Sequence, residues 1–252
     1  MISNLNNFSL LILNFKMDAN IERLLAVRPL DKRAIRQIAL ATTGQKDNPN
    51  WKQLRKRVLT ASRYKDAVYA DGWSDRTTDF VKNHFKQFPT RPAMQYGIDN
   101  EEKARKEYVD LYHFEVIPTG LWLRPSGNLG ASPDGLVKED KNDLGPTGVL
   151  EIKCPYSMRD KSQQDLVEFA ERQHTQHFDQ VQGQMAATGM DWADLVYWSP
   201  KGFWRRRIKL NYGWISQVQP ILERFYLQSM KPEIEKRAKG VQIINFNIQT
   251  VK

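Results

Sequence analysis

Short apolar runs bounded by turn residues fill the middle of the chain, and longer runs with helical spacing lie on either side. Val149-Leu150-Glu151-Ile152-Lys153 is β-prone and bounded by Gly148 and Pro155, which predicts a strand. Alternate side chains leave opposite faces of a strand. Leu150 and Ile152 therefore point into a core, while Glu151 and Lys153 stand side by side on the other face. Upstream, Ser132-Pro133-Asp134-Gly135 has turn chemistry and leads into a second run, Leu136-Val137. The polar residues 138–148 carry Gly and Pro, as a hairpin connection does. Pairing the two runs brings Asp134 close to Glu151. Leu195 to Pro200 predicts a core strand, with Phe203 to Lys209 as its hairpin partner.

Apolar positions at helical spacing predict helices elsewhere. Residues 17–40 carry Ile21, Leu24, Leu25, Ile35, Ile38 and Leu40. In the stretch from Gly97 to Tyr112, Glu101, Ala104 and Tyr108 share a face, and Glu102 lies about 100° around the helix. Phe80 to Phe88, His177 to Met185 and Ile215 to Met230 read as three further helices, the last followed by a basic tail. Gln45 to Asn50 and Trp73 to Asp79 read as loops. Strands interleaved with helices predict an α/β fold: a central mixed β-sheet flanked by helices, with the active site at one edge of the sheet.

Composition changes this picture little. The 252 residues suffice for one sizeable core, and a net charge of +9 suits a polyanionic partner as well as a generic basic protein. Seven Trp and eleven Phe point to a packed interior. The single Cys154 excludes an intrachain disulfide framework, fits a reducing compartment and reads as core packing. The apolar run Phe8 to Leu13 is too short to span a membrane and lacks the flanks of a secretory signal. It reads as a docking element or as a segment upstream of a start at Met17. The expectation is an intracellular protein, nuclear if the source is eukaryotic or a virus of a eukaryote, otherwise cytoplasmic, and neither secreted nor membrane-bound.

Asp134, Glu151 and Lys153 carry the candidate chemistry. Two carboxylates at one spot repel each other and attract a cation, and oxygen ligands suit Mg²⁺ or Mn²⁺ better than zinc. Such an ion polarises a phosphoryl oxygen and acidifies a bound water. A neighbouring lysine can orient that water or take up its proton. The plain alternative is a cross-strand ion pair on a solvated sheet face, since Glu-x-Lys is a common tripeptide.

Gly130-Ala131-Ser132-Pro133-Asp134-Gly135-Leu136, followed by Leu150-Glu151-Ile152-Lys153-Cys154-Pro155-Tyr156-Ser157, resembles the YqaJ-type viral recombinase and lambda-exonuclease-like family of the PD-(D/E)XK nuclease superfamily. The matching blocks run from about Gly44 to Pro200. The resemblance implies a restriction-endonuclease-like core and divides the chain into an N-terminal helical extension (1–43), a YqaJ-like exonuclease domain (44–240) and a C-terminal tail (241–252). It implies that Glu101, Asp134 and Glu151 hold Mg²⁺, or Mn²⁺, with the Ile152 carbonyl as a further ligand. It also implies that Lys153 activates water and that Gln180 faces the active site, with Gln182 as the weaker positional match. Arg55, Ser62, Ser132 and Arg159 match a pocket for the 5′-phosphate of a DNA end. The plain readings are a helix N-terminal preference for Glu101 and a solvated basic face for Arg55 and Arg57. Arg205-Arg206-Arg207 reads either as a DNA backbone contact or as a solvated strand edge.

The implied activity is Mg²⁺-dependent exonucleolytic digestion of double-stranded DNA from a 5′ end, in recombination, repair or replication. A single-strand-annealing protein as partner and a homo-oligomeric assembly go with it. The rivals are an endonuclease or DNA/RNA nuclease on the same metal site, and a catalytically inactive nucleic-acid-binding relative. Intact Asp134, Glu151 and Lys153 speak against the last.

Overall fold

The computed structural model describes residues 17–86, 89–140 and 142–239. The Phe8 to Leu13 run, the end of the Phe80 to Phe88 segment and the 241–252 tail lie outside them. Five strands build the main sheet in the order β2-β5-β6-β7-β8: β2 Glu115–Ile117, β5 Gly135–Lys138, β6 Gly148–Lys153, β7 Trp192–Ser199 and β8 Gly202–Lys209. β6 and β7 pair in parallel and the other neighbours are antiparallel, so the sheet is mixed. A small second sheet joins β1 Leu59–Thr60, β4 Leu129–Ala131 and β3 Trp122–Leu123.

The period-two pattern of the strands decides which helix covers which face. On one face Leu150, Ile152, Val196 and Trp198 pack against Ala104 and Tyr108 of the 21-residue helix Pro92–Tyr112. On the other, Val149 and Ala193 meet Val181 and Met185 of helix Phe178–Thr188. There too Leu195 and Tyr197 meet Leu166 and Ala170 of helix Gln163–Gln173. In chain order the helices are α1 Ala19–Leu25, α2 Lys32–Ala41, α3 Pro49–Arg55, α4 Tyr64–Ala70, α5 Ser74–Phe85, α6 Pro92–Tyr112, α7 Gln163–Gln173, α8 Phe178–Thr188 and α9 Tyr212–Phe225. α1 and α2 share an apolar cluster with Leu54, Val58, Leu121 and Leu123, so the 17–43 segment packs onto the body of the protein. α4 closes onto α8 at Gly183, where a Cβ would come 2.4 Å from the Tyr64 ring.

Several boundaries differ from expectation. α5 begins at Ser74 inside the expected Trp73–Asp79 loop; its first turns are polar and exposed, and Phe80 anchors it in the core. The expected Gln45–Asn50 loop is a 3-10 turn followed by α3, whose start is capped by the Asn48 side chain. The 17–40 stretch is two helices, and Leu40 is largely exposed. α6 starts five residues before Gly97, at Pro92. α9 leads into a π-turn at Tyr226–Met230, and residues 231–239 continue as helix where a tail was expected. No described helix is long and apolar enough to cross a membrane.

Candidate active site

Asp134 ends the Ser132–Gly135 turn and is locked to β6 by two backbone contacts. Its N–H donates to the Leu150 carbonyl at 3.0 Å, and its Oδ2 accepts from the Ile152 N–H at 2.6 Å. That register sets the carboxylate beside Glu151. Glu151 is only 3% exposed. Its Oε1 accepts from Lys153 Nζ at 2.5 Å and from Gln180 Nε2 at 2.6 Å, and its Oε2 accepts from Gln184 Nε2. Lys153 also donates to Gln180 Oε1 at 3.2 Å. The solvated ion-pair reading of Glu151 and Lys153 does not describe this arrangement, because the pair is enclosed under α8.

Glu101 reaches the same place from α6. Together with Asp134, Glu151, Ile152 and Lys153 it lines a cavity of about 570 Å³. Arg105 forks between Glu101, at 2.8 Å, and Glu102, whose side chain is turned outward. Burial raises the Glu101 carboxyl above the ordinary range, with Arg105 and Lys46 opposing the shift. Asp134 is raised well above the usual carboxylate value, first by burial and then by the negative charges of Glu151 and Glu101. Cys154 is pushed up to about 12 by burial, which removes it as a nucleophile.

These side chains offer hard oxygen donors around a shared cavity. Among the described residues no three His, Cys, Asp or Glu side chains form a ready metal cage. The reason is geometric: Glu151 is taken up by Lys153 and two glutamines, and Glu101 leans on Arg105. Asp134 and Glu151 still fit an ion such as Mg²⁺, which keeps several waters and needs one or two carboxylates. The three carboxylates of Glu101, Asp134 and Glu151 lining one cavity are the observation behind that fit.

The four end-recognition candidates do not form one tight group. Trp51 ties two together: the Arg55 guanidinium lies 4.4 Å over its ring, and its Nε1 donates to Ser132 Oγ at 2.8 Å. Arg55 is far from a solvated face, since burial lowers its pKa to about 10 against the attraction of Glu151. Arg57 is the solvated residue, ion-paired with Glu22. Ser62 is exposed, 3.3 Å from Thr60 Oγ1. Arg159 folds back on its own turn, stacked 4.0 Å over Tyr156 and paired with Asp160 at 3.1 Å.

Other residues need correction or addition. Gln182 does not face the cavity: it clamps the end of β8 through the Lys209 carbonyl and the Asn211 N–H. Gln184, one turn after Gln180, takes the remaining Glu151 oxygen and was missed; its i,i+4 spacing to Gln180 was the available signal. His177 lines the cavity and was also missed; burial and Lys153 lower its pKa to about 4. Arg205, Arg206 and Arg207 lie on the edge strand β8, and each has an acidic partner. Arg205 and Arg207 pair with buried Asp194, and Arg206 pairs with Glu171.

A carboxylate in the turn before the first strand of a hairpin, with a carboxylate and a lysine on the second, covered by helices on both faces of a mixed sheet, is the core of the PD-(D/E)XK nuclease fold. Residues 50–191 match the YqaJ-like viral recombinase domain, and the chain belongs to that family. Among solved structures it is similar to an alkaline exonuclease, LHK-Exo from Laribacter hongkongensis, at 26% identity and a TM-score of 0.60, over 77% of this chain and 98% of that one. A phage related exonuclease from Haemophilus somnus aligns at 13% identity and a TM-score of 0.54, over 71% of this chain and 96% of that one. KSHV SOX, in its RNA complex, aligns at 13% identity and a TM-score of 0.54, over 79% of this chain and 74% of that one. These last two likenesses concern the fold alone. No curated protein matches the chain.

Proposed function

We propose that this protein is a Mg²⁺-dependent deoxyribonuclease that digests linear duplex DNA from a 5′ end. The observation that carries the reading is the convergence of Asp134, Glu151, Glu101 and Lys153 on one cavity. The 26% identical exonuclease of Laribacter hongkongensis, solved also in complex with dAMP, supports a nucleic-acid substrate. Asp134 and Glu151 hold the ion in this proposal, with Glu101 and the Ile152 carbonyl as further donors. When bound, the ion supplies Lewis-acid polarisation of the scissile phosphate and lowers the pKa of a coordinated water.

The remaining work falls to the chain's own side chains. Lys153 Nζ, held by Glu151 and Gln180, orients the attacking water and manages its proton. Gln180 and Gln184 fix the Glu151 carboxylate, so its oxygens do not rotate away. Arg55, pinned on Trp51 beside Ser132, offers a planar guanidinium to a terminal phosphate. Ser62 and Arg159 join that pocket in our reading.

The test is digestion of end-labelled linear duplex, with and without a 5′-phosphate, in Mg²⁺ and in EDTA, beside a circular duplex. The proposal expects Mg²⁺-dependent loss of linear DNA, faster from phosphorylated ends, with circles spared. Circles cut as fast as linear DNA would replace the exonuclease by an endonuclease on the same site. No cleavage under any of these conditions would overturn the nuclease reading.

A further inference from the structure

We propose that the exposed ridge formed by Ser62, Lys65, Tyr69, Trp73 and Arg76 is a stacking platform for single-stranded nucleic acid next to the catalytic cavity. The proposal rests on the nuclease reading for the identity of its ligand. α4 runs directly on from the 3-10 turn Ala61–Arg63, and positions 62, 65 and 69 recur at spacings of three and four. All three are exposed, whereas Ala61, Tyr64, Ala67 and Ala70 on the opposite face are buried in the core. The line from Ser62 to Tyr69 spans on the order of 10 Å of helix. A tight turn then follows, with Gly72 at φ +81°, and it folds Trp73 and Arg76 back beside Tyr69. The Arg76 guanidinium lies 4.1 Å from the Tyr69 ring centroid and 4.6 Å from that of Trp73.

This cluster has no evident structural duty. Tyr69 and Trp73 remain 65% and 61% exposed, an unusual position for two large rings on adjacent turns. The guanidinium preorganises both rings, so little side-chain freedom is left to lose on binding. Nearby acids are largely occupied: Asp66 pairs with Arg63 and Asp71 with Arg224. Asp75 and Asp79 are exposed on either side of Arg76 and offset Lys65 and Arg76, so the patch carries no net positive charge and its rings must carry the recognition. Aromatic rings beside cations bind single strands because every base has a π-face, without regard to sequence. The direction of the ridge supplies the occupant. Its inner end, Ala61 to Tyr64, packs on α8, where a Cβ at Gly183 would come 2.4 Å from the Tyr64 ring and 3.0 Å from the Ala61 Cβ, and α8 carries the Gln180 that holds Glu151 and Lys153 beside the cavity. A strand leaving or entering the cavity on that side meets the two rings next.

The experiment measures binding alone, with the full chain in EDTA so that nothing is cut. A labelled single-stranded 12-mer of mixed sequence is titrated and followed by fluorescence anisotropy. The platform predicts that Tyr69→Ala/Trp73→Ala binds about tenfold or more weakly, while Tyr69→Phe/Trp73→Phe stays within about threefold of wild type. An abasic strand of equal length and charge should bind wild type as weakly as the normal strand binds the double alanine variant. Equal affinities for wild type and the double alanine variant would overturn the proposal, as they would if the rings served a protein partner. So would abasic and normal strands bound alike, or a wild type that does not bind single strands. Because no cleavage is read, an intact binding contrast in a protein that fails to cut DNA would sink only the nuclease reading.

Discussion

Two buried acidic sites lie one register position apart on neighbouring strands of the main sheet, Asp194 on β7 opposite Leu150, and Glu151 on β6 opposite Leu195. Asp194 is fully enclosed and fully answered. It accepts from Arg207 at 2.9 and 2.8 Å, from Arg205 at 3.3 Å and from the Tyr108 hydroxyl at 2.6 Å. Arg205 is stacked over Tyr112 and Arg207 over Trp192, so the cations cannot swing away. The site around Glu151 is built the other way. Three carboxylates face one cavity, with Lys153 paired to Glu151 and Arg105 paired to Glu101. One cluster answers its acid with two cations; the other sets three carboxylates against only Lys153 and Arg105. The first is what a fold does with a buried acid for stability; in the proposed function the second draws its missing charge from a divalent ion.

The largest expected effect sharpens that contrast. Asp134→Ala or Glu151→Ala should lower Mg²⁺-dependent cleavage by at least about 10²–10³-fold, measured on end-labelled duplex, with the circular dichroism spectrum of wild type. Substantial residual Mg²⁺-dependent cleavage in Asp134→Ala would remove it from the site. Lys153→Ala should cut the rate by about 10²–10⁴-fold while DNA affinity in EDTA holds. A rate within a few-fold of wild type would return Lys153 to the role of a counter-charge for Glu151, despite its burial.

The two clusters should then respond oppositely in stability. Asp194→Ala leaves Arg205 and the Tyr108 hydroxyl without their carboxylate and Arg207 with Glu139 alone, and should cost about 3 kcal/mol in a denaturant melt. Asp134→Asn relieves repulsion from Glu151 and Glu101 and should leave the metal-free protein as stable as wild type, or more so. If Asp134→Asn destabilises as much as Asp194→Ala, both sites are structural and the contrast fails. The smallest effect concerns the DNA end. Arg55→Ala should slow phosphorylated ends most, by about tenfold for a lost charge-assisted contact of 1.5 kcal/mol. It should thereby narrow the gap between phosphorylated and unphosphorylated ends, whereas a general backbone contact would slow both alike and flatten the salt dependence.

How much of this could be read along the chain follows from how local each signal is. The Asp134–Glu151 juxtaposition was legible because a period-two run, a Ser-Pro-Asp-Gly turn and a polar hairpin connection fix one register between neighbouring segments. Glu101 and Gln180 were legible only through the family pattern, since a helical glutamate or glutamine has no chemistry-specific spacing of its own. Gln184 sat one turn beyond Gln180 and went unread for the same reason. The Arg205–Asp194–Arg207 network was hidden because it depends on the β7–β8 register and on Tyr108 arriving from α6, 86 positions upstream. Ser74-Asp75-Arg76-Thr77-Thr78-Asp79 is polar throughout and so carries a loop signal; one buried Phe80 and an exposed face suffice to make it the start of α5. Arg159 matched its motif position, yet Tyr156 and Asp160 claim its guanidinium in this structure.

The central claim is that the cavity lined by α6, β6 and α7 holds a divalent ion on Asp134 and Glu151. Calorimetric titration of Mn²⁺ into the full chain, beside Asp134→Ala and Glu151→Ala, tests it most directly. The account predicts saturable binding by the wild type, lost or weakened by at least about tenfold in both variants, and competed away by Mg²⁺. Equal Mn²⁺ affinity in all three proteins, or none in the wild type, would contradict it.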